Sequence, residues 1–272
     1  MSQDKKIPLS VVIAAKNEED NIGECLKSVK EWADELIVID DESTDKTAII
    51  AAGIADKVVV KKMEVEGTHR NYAYNLARNE WVLSLDADET VTEELKREIS
   101  GELAKDDKYA AYSVPLRNYI GNYWVKYGGW YPAAKVRLFM KSKFKYEDAG
   151  VHPKIFLDGE CGHLKRDIIH KGYPDIAHFL GSLNYQTTKE AEKWADDKRK
   201  MSLFRALRKT VDRFFRAYVL KKGFRDGFIG LVTAVFAGLY QFLSYAKYRQ
   251  LKIEAAAEKV PDAGANEDKK RG

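Results

Sequence analysis

The N-terminal third of the chain alternates short apolar runs with polar clusters. Leu9 to Ala15 is dominated by β-branched apolar residues and is followed by Lys16-Asn17-Glu18-Glu19-Asp20-Asn21. Apolar residues then recur at helical spacing through Ile22, Leu26, Val29 and Trp32. Leu36 to Ile39 forms a second run, closed by Asp40-Asp41-Glu42-Ser43-Thr44-Asp45, and a helical pattern through Thr47, Ile50 and Ala51 comes next. The same reading predicts a strand at Lys57 to Val60, a helix near Thr68 to Ala77 and a strand at Trp81 to Leu85. Short apolar runs of this kind are strands buried on both faces, and their alternation with helices predicts a mostly parallel α/β sheet flanked by helices. The polar clusters follow the strands, at the edge where open α/β sheets take ligands.

The C-terminal third is patterned differently. Between Trp194 and Lys222, the residues Leu203, Phe204, Leu207, Val211, Phe214, Phe215 and Val219 recur at helical spacing among Lys and Arg. This predicts a basic amphipathic helix, suited either to an anionic bilayer surface or to packing against the rest of the chain. Phe228 to Tyr245 is a stretch of eighteen residues without a formal charge. That length only just suffices to span a membrane, and Thr233, Gln241 and Ser244 weaken it, so an interfacial or embedded helix is expected rather than a span. Lys252 to Gly272, rich in Ala, Lys, Glu and Asp, has little to bury and is expected to be disordered.

Composition adjusts this picture. With 272 residues, 45% of them hydrophobic, the chain can bury one sizeable core and carry an extension. The net charge of +4 is small, but Lys193 to Arg225 holds twelve Lys or Arg against Asp196, Asp197 and Asp212, which points to an anionic partner. Two cysteines and an N-terminus without an apolar h-region suggest a reducing, cytoplasmic setting. Cys161, His163 and His170 invite a zinc reading, but their spacing fits no common module and a fourth ligand is lacking.

The chemistry concentrates at Glu80-Trp81-Val82-Leu83-Ser84-Leu85-Asp86-Ala87-Asp88-Glu89, where a strand runs into two carboxylates. Side chains at i and i+2 of an extended segment point the same way, so Asp86 and Asp88 are expected to face one hard cation, Mg2+ or Mn2+, completed by substrate phosphate. The plain structural reading is that two acids end a strand and favour the next helix start. Gly-rich dinucleotide and P-loop fingerprints are absent, so a nucleotide would be held by carboxylates and side chains: Asp40 or Asp41 and Glu18 for base or ribose, Arg70 for phosphate. Ser43, Thr44 and Asp45 read equally as a helix N-cap.

The strings LSVVIAAKNEEDNIGECLKSV, ELIVIDDESTDKT and HRNYAYNLARNEWVLSLDADE, in this order over Leu9 to Glu89, resemble the nucleotide-binding half of the family 2 glycosyltransferases, which have a GT-A fold. Further segments narrow the likeness: Tyr112-Ser113-Val114-Pro115, Gly129-Trp130-Tyr131-Pro132, Lys135-Val136-Arg137-Leu138-Phe139, Val151-His152 and Lys222-Gly223-Phe224-Arg225-Asp226-Gly227. They resemble bacterial glycosyltransferases that extend the lipopolysaccharide core. The resemblance implies a GT-A catalytic domain over residues 1–180, with a nucleotide-binding half at 9–89 and an acceptor half at 109–180. Membrane-associated helices at 181–251 and a tail at 252–272 would follow.

It also implies roles. Asp40 or Asp41 would contact the nucleobase and Glu18 the ribose, with Arg70 near the nucleotide. Asp86 and Asp88 match the metal-associated DXD motif, Asp88 being the direct ligand, and His152 would approach metal or diphosphate. Inversion by one in-line displacement needs a base, for which Glu147 and Asp148 are the candidates because Pro153 stands where close relatives often have Glu. Trp130, Tyr131, Lys135 and Arg137 would meet the acceptor, although a Gly-Pro turn with its aromatics packed inward explains the first two as well. The implied reaction is transfer from a nucleoside diphosphate sugar, UDP-glucose as first choice, to a lipid-linked or lipopolysaccharide-core saccharide at the inner face of the cytoplasmic membrane. A sugar-nucleotide nucleotidyltransferase, a non-catalytic membrane adaptor and, less so, RNA binding stay open as other readings, and the oligomeric state is not legible.

Overall fold

The computed structural model describes residues 6–105, 109–148 and 154–257. It divides into two compact units, one ending at Pro174 and the other beginning at Asp175. Elements in the first are β1 (Ile7–Ala15), α1 (Ile22–Val29), β2 (Ala33–Asp40), α2 (Thr47–Ala52), β3 (Lys57–Val60), α3 (Glu66–Asn75), β4 (Trp81–Asp86), β5 (Glu89–Val91) and α4 (Glu93–Leu103). They continue as β6 (Ala111–Val114), β7 (Leu116–Ile120), β8 (Tyr123–Trp124), β9 (Lys135–Met140), β10 (Phe144–Tyr146), β11 (Ile155–Leu157), β12 (Cys161–His163) and β13 (Ile168–Tyr173).

A seven-stranded sheet runs in the order β12-β6-β9-β4-β1-β2-β3. Its parallel half, β3-β2-β1-β4, is the part the sequence pattern predicts. β9 enters antiparallel to both β4 and β6. Leu9, Val11 and Ile13 of β1 are fully buried, which explains why the strand reads as apolar; each such side chain contributes about 1.5–3 kcal/mol of burial. Ser10, the polar exception, gives its hydroxyl to Glu35 on β2 at 2.5 Å. Register fixes the business end: Ala15 of β1 pairs with Asp40 of β2, and Ala14 pairs with Asp86 of β4. Asp40 and Asp86 therefore flank the end of β1, roughly 10 Å apart across two strand spacings.

A second sheet, β5-β13-β7-β8, lies just beyond β4 in the chain. Its register sets Glu89 beside His170 and His170 beside Asn118. Three polar residues distant in sequence thus become neighbours across three strands.

The second unit comprises α5 (Ile176–Asp196), α6 (Leu203–Phe215), a π-helical turn (Arg216–Leu220), a 3-10 turn (Gly223–Asp226) and α7 (Gly227–Ala257). The single helix expected from Trp194 to Lys222 is two elements. α5 ends at Asp196, Lys198 turns the chain with φ 49°, and Ser202 caps α6 by accepting from Arg205 N. α7 runs to Ala257, so Lys252 to Ala257 of the expected tail is helical; the rest of that tail lies outside the described residues. Side-chain packing is tight where α6 meets α7. A Cβ at Gly238 would lie 2.9 Å from the Thr210 carbonyl oxygen, and one at Gly230 would overlap the Gly223 carbonyl, so only glycine fits there.

Candidate active site

The loops after β1 and β2 are zipped together by side chains bonding to backbone. Asn17 N donates to Ser43 Oγ, Thr44 N to Asn17 Oδ1, Glu19 N to Asp45 Oδ2, Lys46 N to Glu19 Oε2, and Glu18 N to Thr47 Oγ1. The N-cap of α2 is Lys46, without a side-chain cap bond; Asp45, one residue earlier, accepts from Thr47 N through Oδ1 in a local turn and clamps the opposite loop through Oδ2. Glu18 is partly buried and accepts from Asn21 Nδ2 at 2.8 Å.

The two adjacent aspartates differ. Asp41 uses both oxygens on the protein: Oδ2 meets Lys16 Nζ at 2.7 Å and Oδ1 accepts from Met63 N at 2.6 Å. Burial pushes its pKa upward, but the Lys16 and Met63 bonds outweigh it and hold the carboxyl below its ordinary value. Asp40 accepts from Ser43 N through Oδ2, while its buried Oδ1 has no partner among the described residues. Asp41 is a brace; Asp40 has accepting capacity to spare.

Asp86 sits between two guanidinium groups, Arg70 Nη2 at 2.8 Å from Oδ1 and Arg137 Nη2 at 2.6 Å from Oδ2. Arg70 also reaches Glu66 at 3.1 Å, one turn earlier on α3. Arg137 comes from β9 and closes on Glu89 as well, whose side chain is fully buried. Desolvation would raise the Asp86 pKa, yet Arg137 and Arg70 override it and hold the carboxyl well below the usual range. Burial pushes Glu89 up, against Arg137. β4 ends at Asp86 and Asp88 lies in the turn before β5, so the i, i+2 rule for extended backbone does not by itself set the two carboxylates on one side; Asp86 is engaged by two guanidinium groups and Asp88 by His170. Arg137, only 3% exposed, is a buried counter-charge and not a group open to an acceptor.

Asp88 faces His170. Its Oδ2 lies 3.1 Å from His170 Nε2, and a Cβ at Gly172 would sit 2.7 Å from the imidazole and 3.5 Å from the same oxygen, so glycine leaves room for the ring against the carboxylate. Asn118 settles the tautomer. Its Nδ2 donates to Trp130 O at 2.6 Å, so Oδ1 is the atom 2.7 Å from His170 Nδ1, and an amide oxygen only accepts. Nδ1 must carry the proton, which leaves neutral Nε2 as a lone pair aimed at a carboxylate. Two acceptors at that distance require a cation between or beside them, either a proton on Nε2 or a metal ion. In the metal-free protein burial disfavours the imidazolium, but Asp88 and Glu89 more than compensate and raise the His170 pKa. Asp88 Oδ2 and His170 Nε2, 3.1 Å apart, are the atoms that would hold a divalent ion, and the same spacing is that of a carboxylate–imidazolium hydrogen bond. A mixed oxygen and nitrogen pair suits Mn2+ better than Mg2+.

His170 was visible in the sequence only as a member of the zinc cluster, which the structure takes apart. Cys161 bonds its neighbour's carbonyl, His163 Nδ1 meets Ser113 Oγ, and His170 turns into the other sheet. Among the described residues no group of three or more His, Cys, Asp and Glu converges as a metal cage. His152 lies outside the described residues.

Glu147 and Asp148 sit after β10. Glu147 folds back on its own hairpin, its carboxylate accepting from Lys154 N at 3.3 Å. Asp148 is exposed and accepts from Thr68 Oγ1 at 3.2 Å, which ties it to the helix that carries Arg70. Asn71 on that helix clamps the Tyr146 backbone with two bonds of 2.9 Å, and burial pushes the Tyr146 hydroxyl up to about 12. Trp130 packs edge-on to Tyr173, and Tyr131 donates to Asp167 at 3.0 Å while meeting Trp124 edge-on. Gly128 and Gly129, at φ 67° and 90°, make the turn that delivers them. Lys135, exposed at the start of β9, is near enough to His170 for its charge to oppose the imidazolium.

Comparison with known proteins identifies the family. The Glycosyl transferase family 2 profile matches residues 10–172, the stretch that carries every strand-end carboxylate described above. A Rickettsia bellii protein named as an uncharacterized glycosyltransferase is 30% identical over 90% of this chain and 87% of its own length. The lipopolysaccharide core biosynthesis glycosyltransferase LpsC of Rhizobium meliloti is 25% identical over 95% of this chain and 98% of its own. Glucosyl-3-phosphoglycerate synthase from Mycobacterium tuberculosis, solved with Mn2+ and UDP-glucose, is 26% identical over 40% of this chain and 43% of that one, but a TM-score of 0.35 is too low to argue from. With the sequence profile covering more than half of its length, and with strand-end loops built around carboxylates in a mixed α/β sheet, the chain belongs to glycosyl transferase family 2 and carries a GT-A fold.

Proposed function

We propose that the protein transfers a sugar from a nucleoside diphosphate donor, UDP-glucose as first choice, to a lipid-linked or lipopolysaccharide-core saccharide at the inner face of the cytoplasmic membrane. The observation that carries the reading is the Asp88–His170 pair, two converging acceptors at the end of the parallel strands. Asp40, with its unpartnered oxygen, is assigned to the nucleobase and Glu18 to the ribose side. Asp88 and His170 would hold Mn2+ or Mg2+, which when bound neutralises charge gathering on the departing diphosphate. Arg70 and Lys135 add fixed positive charge for the same phosphates, Arg70 being oriented by Asp86 and Glu66.

The acceptor hydroxyl needs a base within hydrogen-bond reach, and one in-line displacement inverts the anomeric centre. Asp148 is preferred over Glu147 because its carboxylate is exposed and tied to α3, whereas Glu147 is engaged with its own hairpin. Trp130 and Tyr131, on the glycine turn that Asn118 anchors, supply the aromatic surface for the acceptor sugar.

Thermal shift against a panel of nucleoside diphosphate sugars, with and without Mn2+, tests the reading. Stabilisation by one nucleotide class, dependent on metal and absent in Asp88→Asn, is expected. A mutant that responds like wild type would remove the metal assignment, and silence towards every donor would remove the transferase assignment.

A further inference from the structure

Over much of its length the α6–α7 hairpin buries small or polar residues. The buried positions of α7 as far as Ser244 are Gly230, Thr233, Ala234, Gly238, Gln241 and Ser244, all small or polar. On the same stretch Phe228 is 74% exposed and Leu231, Val235 and Phe242 are exposed with it, while Ile229, Val232, Phe236, Leu239 and Leu243 are half-buried, Phe236 against Phe179. α6 repeats the arrangement. Its buried position is Ala206, while Phe204, Leu207, Val211 and Phe215, spaced by three and four residues, are all exposed, Phe204 by 78%. Small residues at helix contacts and large ones outside is the pattern of helices that pack in lipid.

The two helices run antiparallel, since Gly238 meets Thr210 and Arg213 covers the Tyr240 ring, while Ala206 clusters with Tyr245. At ~100° per residue each apolar stripe is displaced from the helix–helix contact in the same rotational sense. Antiparallel helices with that offset show both stripes on one side of the hairpin. From Leu203 to Phe228 the chain carries eight Lys or Arg against Asp212 and Asp226, of which Asp226 is buried and Asp212 pairs with Arg216 at 3.1 Å.

We infer that this face of the α6–α7 hairpin, with Phe204, Leu207, Val211, Phe215, Phe228 and Val235 at its centre, is the surface that seats the protein in the anionic leaflet of a bilayer. The inference rests on the membrane-face reading above and deepens it by naming the surface. Cations recurring on every turn of α6 forbid burying that helix across hydrocarbon, so it lies in the plane of the headgroups with its stripe in the acyl boundary. A second copy of the chain is the poorer occupant, because the segment from Leu203 to Phe228 carries eight Lys or Arg against two Asp and a symmetric contact would bring two such cationic segments together.

Sedimentation of the full-length protein with phosphatidylcholine vesicles, with and without phosphatidylglycerol, tests this. Wild type should bind the anionic vesicles. The triple variant Phe204→Ser/Val211→Ser/Phe215→Ser should lose about tenfold or more in partitioning while keeping its melting temperature, since those side chains already stand in water. Arg205→Gln/Arg208→Gln/Arg216→Gln should erase the preference for phosphatidylglycerol. An environment-sensitive dye at Val211→Cys, in a Cys161→Ser background, should shift to the blue on vesicles. Vesicle binding that the triple variant does not change would overturn the named surface and leave the membrane reading intact. Failure of wild type to bind any vesicle would overturn both. A vesicle-free dimer that the triple variant dissociates would assign the face to a second copy and overturn the inference.

Discussion

The end of β4 and the outer side of the α6–α7 hairpin invert the usual distribution of side chains in opposite directions. At β4, Asp86, Glu89, Arg70 and Arg137 bring charge inward and satisfy it by mutual pairing. On the hairpin, Phe204, Val211 and Phe228 carry hydrocarbon outward with nothing covering them among the described residues. Buried charge costs free energy unless paired, so it persists where something must be held in place; exposed hydrocarbon costs free energy in water, so it persists where another solvent awaits it. On our proposal, one region is the site for a small charged ligand and the other the surface that meets a bilayer.

Substitutions can break that contrast, and the effects should differ in size. Arg137→Met leaves Asp86 and Glu89 without their shared counter-charge and should cost about 3–5 kcal/mol in a denaturation experiment. Asn118→Leu removes the acceptor that fixes His170 and should weaken Mn2+ binding by about 10–100-fold in a calorimetric titration, at a stability cost of about 1–3 kcal/mol because half-buried His170 and Trp130 each lose this partner. Asp41→Asn should cost about 1–2 kcal/mol at neutral pH. The sign follows from its lowered pKa: the stabilisation is present above the unfolded value near 3.9 and is lost as pH falls through the folded value, so the mutant's acid-unfolding limb should be flatter than wild type's. Phe204→Ser should sit within about ±0.5 kcal/mol of wild type in water, because its side chain is already hydrated. Chemical denaturation of the four variants side by side would place both regions on one scale.

Much of the first unit was legible because its strands are buried on both faces and so read as apolar runs, and because the strand-end loops are acidic. The DXD pair was visible as chemistry but its partners were not: the chain leaves the extended conformation at Asp86, which meets Arg70 and Arg137, while Asp88 meets His170. The partner of Asp88 was hidden for a different reason. His170 stands on β13 and is placed by sheet register, a long-range property that local spacing does not carry. Arg137 was expected to meet the acceptor; Asp86 and Glu89, which it pairs with, explain why it is buried. In the second unit, helices were expected from residue 181, but α5 itself was not delimited, because its core line, Phe179, Leu183, Thr187, Ala191 and Trp194, includes a threonine and an alanine that do not read as apolar anchors. The hairpin's hydrophobic residues were legible, but not which of them face out.

The central claim is that Asp88 and His170 together form the metal-binding pair. Calorimetric titration of Mn2+ in the presence of UDP, on wild type, Asp88→Asn and His170→Ala, tests it most directly. The account predicts a UDP-linked Mn2+ site in wild type that both substitutions weaken by at least tenfold without unfolding the protein. Wild-type Mn2+ affinity in either variant would contradict it.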